Sequence, residues 1–208
     1  MKELWTKNLR DIEPYVPGEQ SKEKDIVKLN ANENPYPPSP KAIEAIKNFD
    51  ADKLRLYPEA NSTELKQAIA DYYNIDIENV FVGNGSDDVL ALAFQSFFNS
   101  DKPIAYPDIT YSFYPVWCRL FDIDYINYPL DEDFRINPED YKEPNGGVVI
   151  PNPNAPTSIG EDRDFIEKIM DYNQDCVVII DEAYCDFGGV SSVPLIEKYE
   201  NLLITGTF

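Results

Sequence analysis

The sequence predicts an α/β fold in three layers, in which a mostly parallel sheet carries helices on both faces. Residues 177–180 are four consecutive β-branched residues between polar ones, a pattern typical of a strand buried on both sides in a parallel sheet. Short apolar runs alternate with helical patterns along the chain, which indicates βαβ units. Several predicted strands are followed by Pro, Asn or Asp, which favours loops at one edge of the sheet.

The first part of the chain predicts an arm and two helices. Residues 1–25 mix prolines and charges with weak periodicity, residues 26–29 could form a short strand, and residues 30–38 hold three prolines and three asparagines, which favour a rigid polar loop. A helix is expected to start at Ser39, with Pro40 in its first position. A second helix is expected after a cap at Asn61 or Ser62. The link between these helices is expected to lie on the surface.

A glycine-rich turn between a strand and a helix is the first candidate binding element. The predicted strand is residues 80–82, the turn is residues 83–88, and the apolar face of the helix follows. Glycines allow close approach of a ligand, and the first amides of a helix attract phosphate. The turn matches neither the dinucleotide fingerprint nor the P-loop. Asp87 and Asp88 favour the helix dipole, but they repel phosphate unless their carboxylates point aside.

The rest of the chain continues the alternation of strands and helices. Strands are predicted at residues 104–106, 123–128, 148–150 and 177–180, with another near residues 202–205. Helices are predicted over about 111–121 and again through residues 165–170. Asp181 follows the buried strand 177–180, where ligands bind in open α/β sheets. Two interpretations stay open for Asp181, a functional acid in a site or a local cap of the next turn.

Composition excludes several classes of function. The chain has 208 residues, 18 basic against 38 acidic, a net charge of −20, and no histidine. Clustered positive charge is needed to bind nucleic acid or an anionic membrane, so neither partner is expected. The lack of histidine removes Ser-His-Asp triads and His-based metal sites, and we expect no metal. Three cysteines without a CxxC spacing predict reduced thiols, and no apolar run is long enough for a membrane span, so a cytoplasmic protein is expected.

Five segments together resemble the pyridoxal-phosphate-dependent aminotransferases of fold type I, and within them most closely the histidinol-phosphate aminotransferases. These segments are the Asn-Ala-Asn-Glu-Asn-Pro run at 30–35, Gly-Ser-Asp at 85–87, Asp-Ile-Thr-Tyr at 108–111, the loop 152–158, and Asp-Glu-Ala-Tyr at 181–184. The resemblance covers nearly the whole chain, and the order of the segments makes it more specific than any single motif. It implies a homodimer that uses pyridoxal 5'-phosphate, a small-molecule amino donor and a 2-oxo acid.

The resemblance also implies roles for single residues. Asp181 would bind the pyridine nitrogen and keep it protonated, Tyr184 would donate to the phenolic oxygen of the ring, and Tyr111 would stack on its face. Tyr57 would reach the cofactor phosphate of the partner subunit. The phosphate would be held by the backbone of Gly85, Ser86 and Asp87, and the substrate would be met by Tyr15, Asn30 and Asn32.

Two departures from the family pattern stand out. The usual Asn-Asn-Pro-Thr-Gly reads Asn-Ala-Pro-Thr-Ser at 154–158, so Asn154 is the candidate for the contact that the residue at Ala155 would otherwise make. In the family, Ser-Lys follows the Thr-Phe found here at 207–208, and that lysine forms the Schiff base. The resemblance therefore places the Schiff-base lysine beyond Phe208, and no catalytic residue is expected within the chain. Lys28 is the nearest lysine to the expected site.

The resemblance implies a division into an N-terminal arm and small-domain segment, residues 1–35, and a large cofactor-binding domain, residues 36–208, incomplete at its C-terminus. The expected reaction of the family is transfer of the amino group of histidinol phosphate to 2-oxoglutarate, giving imidazole acetol phosphate and glutamate. The 208 residues alone are expected to be inactive. Two alternatives stay open: a non-catalytic truncated member, or an enzyme acting on another phosphorylated amino compound, such as a threonine-phosphate decarboxylase.

Overall fold

One parallel sheet of five strands forms the centre of the molecule. The structure, a computed structural model, describes residues 18–19, 21–23 and 25–208. The strands lie in the order β2-β1-β3-β4-β5, and every neighbouring pair is parallel. Their bounds are Ile104–Pro107 (β1), Tyr125–Tyr128 (β2), Gly147–Pro151 (β3), Val178–Asp181 (β4) and Leu202–Thr205 (β5). The predicted α/β architecture is confirmed.

Helices connect the strands and precede them in the chain. The α-helices are Pro40–Lys47 (α1), Thr63–Tyr73 (α2), Gly85–Phe97 (α3), Tyr114–Phe121 (α4) and Arg163–Tyr172 (α5). Short 3-10 helices span Ala51–Arg55, Ile77–Asn79, Pro138–Lys142, Cys185–Phe187 and Val193–Leu195. None of the helices in the described ranges is long and apolar enough to cross a bilayer.

The central strands are apolar throughout because both faces of the sheet are covered. Ile179 on β4 packs with Val149 on β3 into a cluster that includes residues of α3 and α4. Its neighbours Val178 and Ile180 point the other way, into a second cluster that includes residues of α5. Alternate residues of a strand face opposite sides of a sheet, so a run with no polar residue is needed where helices lie on both sides.

Two predicted strands are absent from the described residues. Residues 26–29 and residues 80–82 are not in a strand, and Val27, Leu29 and Phe81 are exposed. A β-branched or aromatic run forms a strand only where a neighbouring strand accepts its backbone hydrogen bonds. Neither segment is paired with a strand of the sheet, so the prediction from local pattern was wrong for both.

The helix starts agree with the sequence at one position and differ at another. Ser39 caps α1 as predicted, because its hydroxyl accepts the Ala42 amide at 3.2 Å. At α2, Ser62 takes the cap position without a side-chain hydrogen bond. The Glu59 carboxylate instead accepts the amides of Asn61 at 3.0 Å and Thr63 at 2.8 Å. The carboxylate of Glu59, which precedes α2 in the chain, therefore caps this helix.

Candidate active site

A cavity of about 330 Å³ lies at the carboxyl-terminal edge of the sheet. This is the edge where parallel α/β sheets bind ligands, and the volume suits a small molecule. Its walls come from the start of α3, the segment before α4, and the loops after β3 and β4. The lining residues are Asn84, Gly85, Ser86, Asp87, Tyr111, Pro151, Pro153, Ala155, Asp181, Ala183, Tyr184 and Thr207.

Asp181 ends the strand β4 and reaches this cavity although its residue is only 5% exposed. Its backbone lies between Pro151 on β3 and Thr205 on β5. Its Oδ1 accepts the Ala183 amide at 3.2 Å and the Thr205 hydroxyl at 3.3 Å, and its Oδ2 accepts the Tyr114 hydroxyl at 2.6 Å. The structure therefore combines the two interpretations of Asp181, because the same carboxylate bonds the local turn and lines the cavity.

The electrostatic setting of Asp181 is a compromise between burial and hydrogen bonding. Burial raises the pKa of the carboxyl above its ordinary value, since the ionised form loses its water. The hydrogen bonds from Tyr114, Ala183 and Thr205 lower the pKa, while the nearby charge of Asp87 raises it. A cationic ligand group next to Asp181 would oppose the effect of burial and favour the ionised form.

Sequence reasoning missed Tyr114, which is fully buried against Asp181. Its ring lies 5.6 Å from those of Tyr106 and Tyr111 and 6.0 Å from that of Phe94. An aromatic residue in the first turn of an amphipathic helix is usually interpreted as part of the hydrophobic core. Nothing in the local pattern shows that the Tyr114 hydroxyl bonds Asp181 at the end of a strand. Only the pairing of α4 with the end of β4 in three dimensions reveals this contact.

The two acids at the start of α3 take different places, because Asp88 bonds the backbone of the N-cap residue Asn84 and Asp87 lies at the cavity. The Asp88 carboxylate accepts the Asn84 amide at 3.0 Å, while Asp87 lines the cavity and accepts the Tyr111 hydroxyl at 2.8 Å. Gly85 has φ of 83°, a conformation that glycine tolerates. The first amides of α3 have no carbonyl of the preceding turn to bond. They are thus suited to an anion, provided that it approaches beside Asp87.

The predicted substrate segment reaches the cavity through one contact. Asn32 donates its side-chain amide to the Tyr184 hydroxyl at 3.0 Å, and Tyr184 lines the cavity. Asn30 instead donates to the Glu19 carbonyl at 2.9 Å, so its side chain is used within the arm. Tyr15 lies outside the described residues.

The side chain of Asn154 is bonded to its neighbours behind the wall of the cavity. Asn154 is 3% exposed, and its amide donates to the Ile109 carbonyl at 3.0 Å and to Thr157 at 3.2 Å. Its Oδ1 accepts the Thr110 hydroxyl at 3.1 Å. These bonds hold the loop 152–158 against the segment before α4, and Ala155 faces the cavity instead. Asn154 therefore supports the wall of the cavity, and its contact with a ligand stays a prediction.

Two further predicted residues lie away from the cavity of this chain. Tyr57 is fully exposed between α1 and α2 and is not one of the residues that line the cavity. Lys28 pairs with Glu33 at 2.5 Å in the arm. Among the described residues that line the cavity there is no lysine.

The segment after β5 leads from the sheet to the cavity. Thr207 lines the cavity, whereas Phe208 is 90% exposed and is not one of its lining residues. Phe208 is therefore not itself part of the site, although its neighbour in the chain is. The resemblance implies a Schiff-base lysine beyond Phe208, and that stays a prediction.

Comparison with known proteins shows the family to which the chain is similar. A family model described as "Aminotransferase class I and II" matches residues 24–208. The histidinol-phosphate aminotransferase of Acinetobacter baumannii (strain SDF) is 57% identical over 207 residues, which is 98% of this chain and 57% of that protein. The enzyme of the same name from Pseudomonas syringae pv. syringae (strain B728a) is 53% identical over all of this chain and 59% of its own length.

A solved structure supports the same fold. The histidinol-phosphate aminotransferase of Sinorhizobium meliloti, solved in complex with pyridoxal-5'-phosphate, superposes with a TM-score of 0.77 at 22% identity, over 86% of this chain and 50% of that one. The chain thus spans between half and three fifths of the length of the relatives compared here. The fold is shared over the 86% of this chain that superposes.

Proposed function

Because this chain belongs to the class I and II aminotransferase family, we propose that it forms the cofactor site of an enzyme that transfers the amino group of histidinol phosphate to 2-oxoglutarate. The cofactor proposed is pyridoxal 5'-phosphate. The observation that carries the proposal is the buried carboxylate of Asp181, which lines a small-molecule cavity at the end of a central strand. The names of relatives that are 53–57% identical support the choice of amino donor.

The residues present fit this cofactor. When bound, pyridoxal 5'-phosphate supplies an electron sink that stabilises negative charge at the substrate Cα. Asp181 offers a negatively charged acceptor for a protonated ring nitrogen, and the Tyr111 side chain offers an aromatic wall. The first amides of α3, at Gly85, Ser86 and Asp87, offer donors for a phosphate. The cavity thus offers a buried acid for the ring nitrogen, an aromatic wall for the ring face and a helix start for the phosphate.

Tyr184 links the cofactor and substrate parts of the proposed site. Its hydroxyl accepts a hydrogen bond from Asn32, so its own proton is available to donate to a further acceptor in the cavity. The proposed acceptor is the phenolic oxygen of the cofactor ring. Asn32 then joins the substrate segment of the arm to the cofactor, and Asn30 helps to hold that arm through Glu19.

The proposal includes a homodimer, in which Tyr57 contacts the cofactor phosphate of the partner subunit. Tyr57 is fully exposed, and Leu54 and Leu56 beside it are exposed as well. Neighbouring exposed apolar side chains favour an interface. The proposal also assigns the reactive amine to a lysine beyond Phe208, because none of the described lysines lines the cavity while Thr207 does.

The test is a product assay on the longest natural chain that contains these 208 residues. With histidinol phosphate, 2-oxoglutarate and added cofactor, we expect glutamate to form. O-phosphothreonine in a parallel assay should release no carbon dioxide. Carbon dioxide release without glutamate would favour the decarboxylase alternative, and binding of cofactor without either product would favour a non-catalytic protein. The 208-residue chain by itself, as a matched control, is expected to form no glutamate.

A further inference from the structure

The hydroxyl of Tyr114 is held in place by the packing of its ring and by one hydrogen bond. The ring is completely buried, between Phe94 of α3, Trp117 of its own helix and Tyr106 of β1. A buried hydroxyl needs a partner, since leaving it without one is costly. The partner is Oδ2 of Asp181, at 2.6 Å, a short distance typical of a hydrogen bond to an ionised acceptor.

Asp181 has room for one more donor. A carboxylate offers about four acceptor positions, and in the described structure three protein donors occupy it: Tyr114, Thr205 and the Ala183 amide. Oδ1 receives two of them and Oδ2 receives one. Because the residue also lines the cavity, the remaining position on Oδ2 is the one left for a ligand.

We propose that Tyr114 is a positioning residue for Asp181, whose buried hydroxyl fixes Oδ2 and keeps the carboxylate ionised for a protonated ring nitrogen in the cavity. This inference rests on the proposed function, because it takes the ligand to be a pyridinium. A donor on Oδ2 stabilises the carboxylate more than the neutral acid. It therefore favours the proton on the ligand nitrogen over the proton on Asp181.

The other titratable groups that face this pair are Asp87 at the start of α3 and Tyr111 before α4. Asp87 raises the pKa of Asp181, and the Tyr111 hydroxyl is bonded to Asp87. Both stay in place when only the Tyr114 hydroxyl is removed. Burial is the main cause that raises the pKa of Asp181, and the Tyr114 hydrogen bond is the first of the causes that lower it. Removing that hydroxyl should therefore make the carboxylate protonate at higher pH.

The experiment measures binding of pyridoxamine 5'-phosphate against pH by calorimetry, with the longest natural chain that contains these residues. In Tyr114→Phe, affinity on the acidic side should fall by roughly tenfold relative to wild type, because a charged acceptor loses one donor, while affinity at alkaline pH changes little. Tyr106→Phe is the matched control. It removes a buried hydroxyl of the same aromatic cluster that is not among the described donors to Asp181.

A second variant keeps the ring and the hydroxyl but changes its acidity. Replacing Tyr114 by 3-fluorotyrosine, a stronger donor, should shift the acidic side of the binding curve in the opposite direction from Tyr114→Phe. In an Asp181→Asn background, Tyr114→Phe should have no further effect on the curve. A role in packing alone would change stability or the affinity at all pH values, and it would not produce these opposite shifts.

Each outcome decides the inference. Equal pH curves for wild type and Tyr114→Phe would overturn it, as would the same shift in Tyr106→Phe. If Tyr114→Phe fails to fold, the fluorotyrosine variant decides by the presence or absence of its shift. If the wild type does not bind pyridoxamine 5'-phosphate, the proposed function fails. The role of Tyr114 can then still be tested by a pH titration of the Asp181 carboxyl in ligand-free protein, followed by ¹³C NMR. A titration midpoint that is not higher in Tyr114→Phe than in wild type would overturn that role.

Discussion

Asp181 meets two requirements that oppose each other at the scale of a single residue. In the proposed site, its burial strengthens the attraction to a charged ring nitrogen, because electrostatic attraction increases as water is excluded. Burial also disfavours the ionised carboxylate that this binding needs. Three protein donors offset part of that cost. A site of this kind is therefore tuned by the groups around the acid as much as by the acid itself.

Replacing Asp181 by Asn should abolish most transamination and leave a folded protein. The amide has nearly the same shape, and Tyr114 can turn its hydroxyl from donor to acceptor. A neutral amide cannot hold a pyridinium charge, so turnover should fall by about 100-fold or more, as when a key electrostatic group is removed from an active site. Turnover measured with histidinol phosphate and 2-oxoglutarate checks this. Near-normal turnover would show that the role given to Asp181 is wrong.

The same variant tests the pKa of Asp181 in the absence of cofactor. A carboxyl whose pKa is higher in the folded state binds more protons when folded, so its contribution to stability is lost as pH rises. The loss begins near the ordinary Asp pKa of about 3.9 and ends above the raised value. The unfolding free energy of wild type minus that of Asp181→Asn, from urea titrations, should decrease across this window. A constant difference would contradict the raised pKa.

Sequence alone identified the residues whose position follows from the end of a strand or the start of a helix. Asp181, Tyr184, Tyr111 and the turn 85–87 all line the cavity, because a parallel sheet brings the ends of its strands to one edge. Tyr114 was missed because its partner is distant in sequence. The role of Asn154 at the ligand was implied by the resemblance and stays a prediction; its bonds to Ile109, Thr110 and Thr157 become visible only when the loops are packed together.

At the scale of one element, α2 depends on an acid that precedes it. Glu59 accepts two amides at the start of α2, and the hydrogen bond from the Thr63 amide is the first cause that lowers its pKa. Ser62, the expected cap, has a left-handed backbone with φ of 51° and makes no capping bond. The anion also lies at the end of the helix that attracts negative charge.

We expect Glu59→Gln to loosen the first turn of α2, because a neutral amide is a weaker acceptor for backbone amides. Hydrogen exchange of the Thr63 amide should become several-fold faster, while exchange in β4 is unchanged.

The pKa of Glu59 is lowered in the folded state, so its stabilising effect is present above the ordinary Glu pKa of about 4.3 and is lost as pH falls through the lowered value. Exchange of Thr63 that is equal in both proteins would refute this cap. Asp71→Asn, in the last turn of the same helix, is the matched control.

The elements differ in how far a local pattern predicts them. The strands β1, β3 and β4 were located from short apolar runs, and each lies between two neighbouring strands; β5 was located in the same way and pairs with β4 at the edge of the sheet. Residues 26–29 and 80–82 have similar composition and do not form strands, since no neighbouring strand pairs with them. Pairing is a property of the whole sheet, and it cannot be read from four residues.

At the scale of the whole molecule, the apolar surface is concentrated outside the sheet. Ile46 and Phe49 of the α1 region are exposed, as are Leu54, Leu56 and Tyr57. Ile46 of α1 and Phe49 just after it are thus largely uncovered within the described chain. Such a surface favours association, in agreement with the proposed dimer. The proposed division at residue 35 stays a prediction.

Mixing two inactive variants tests whether Tyr57 acts across a dimer. Tyr57→Ala leaves Asp181 intact, and Asp181→Asn leaves Tyr57 intact. In a twofold dimer each site would take Asp181 from one subunit and Tyr57 from the other, so a reassembled equal mixture should regain about a quarter of wild-type activity. Unmixed samples carried through the same reassembly are the controls. Without recovery above these controls, Tyr57 would act within its own chain or not at all.

The central claim, that Asp181 anchors the ring of a pyridoxal-type cofactor in the cavity, is tested most directly by a crystal structure with pyridoxamine 5'-phosphate bound. We expect the ring nitrogen within about 3 Å of an Asp181 oxygen, a normal hydrogen-bond distance. The phosphate should lie at the amides of Gly85, Ser86 and Asp87, with the Tyr111 ring against the cofactor. A molecule bound in the cavity with its ring nitrogen turned away from Asp181, or bound at another place altogether, would contradict the claim.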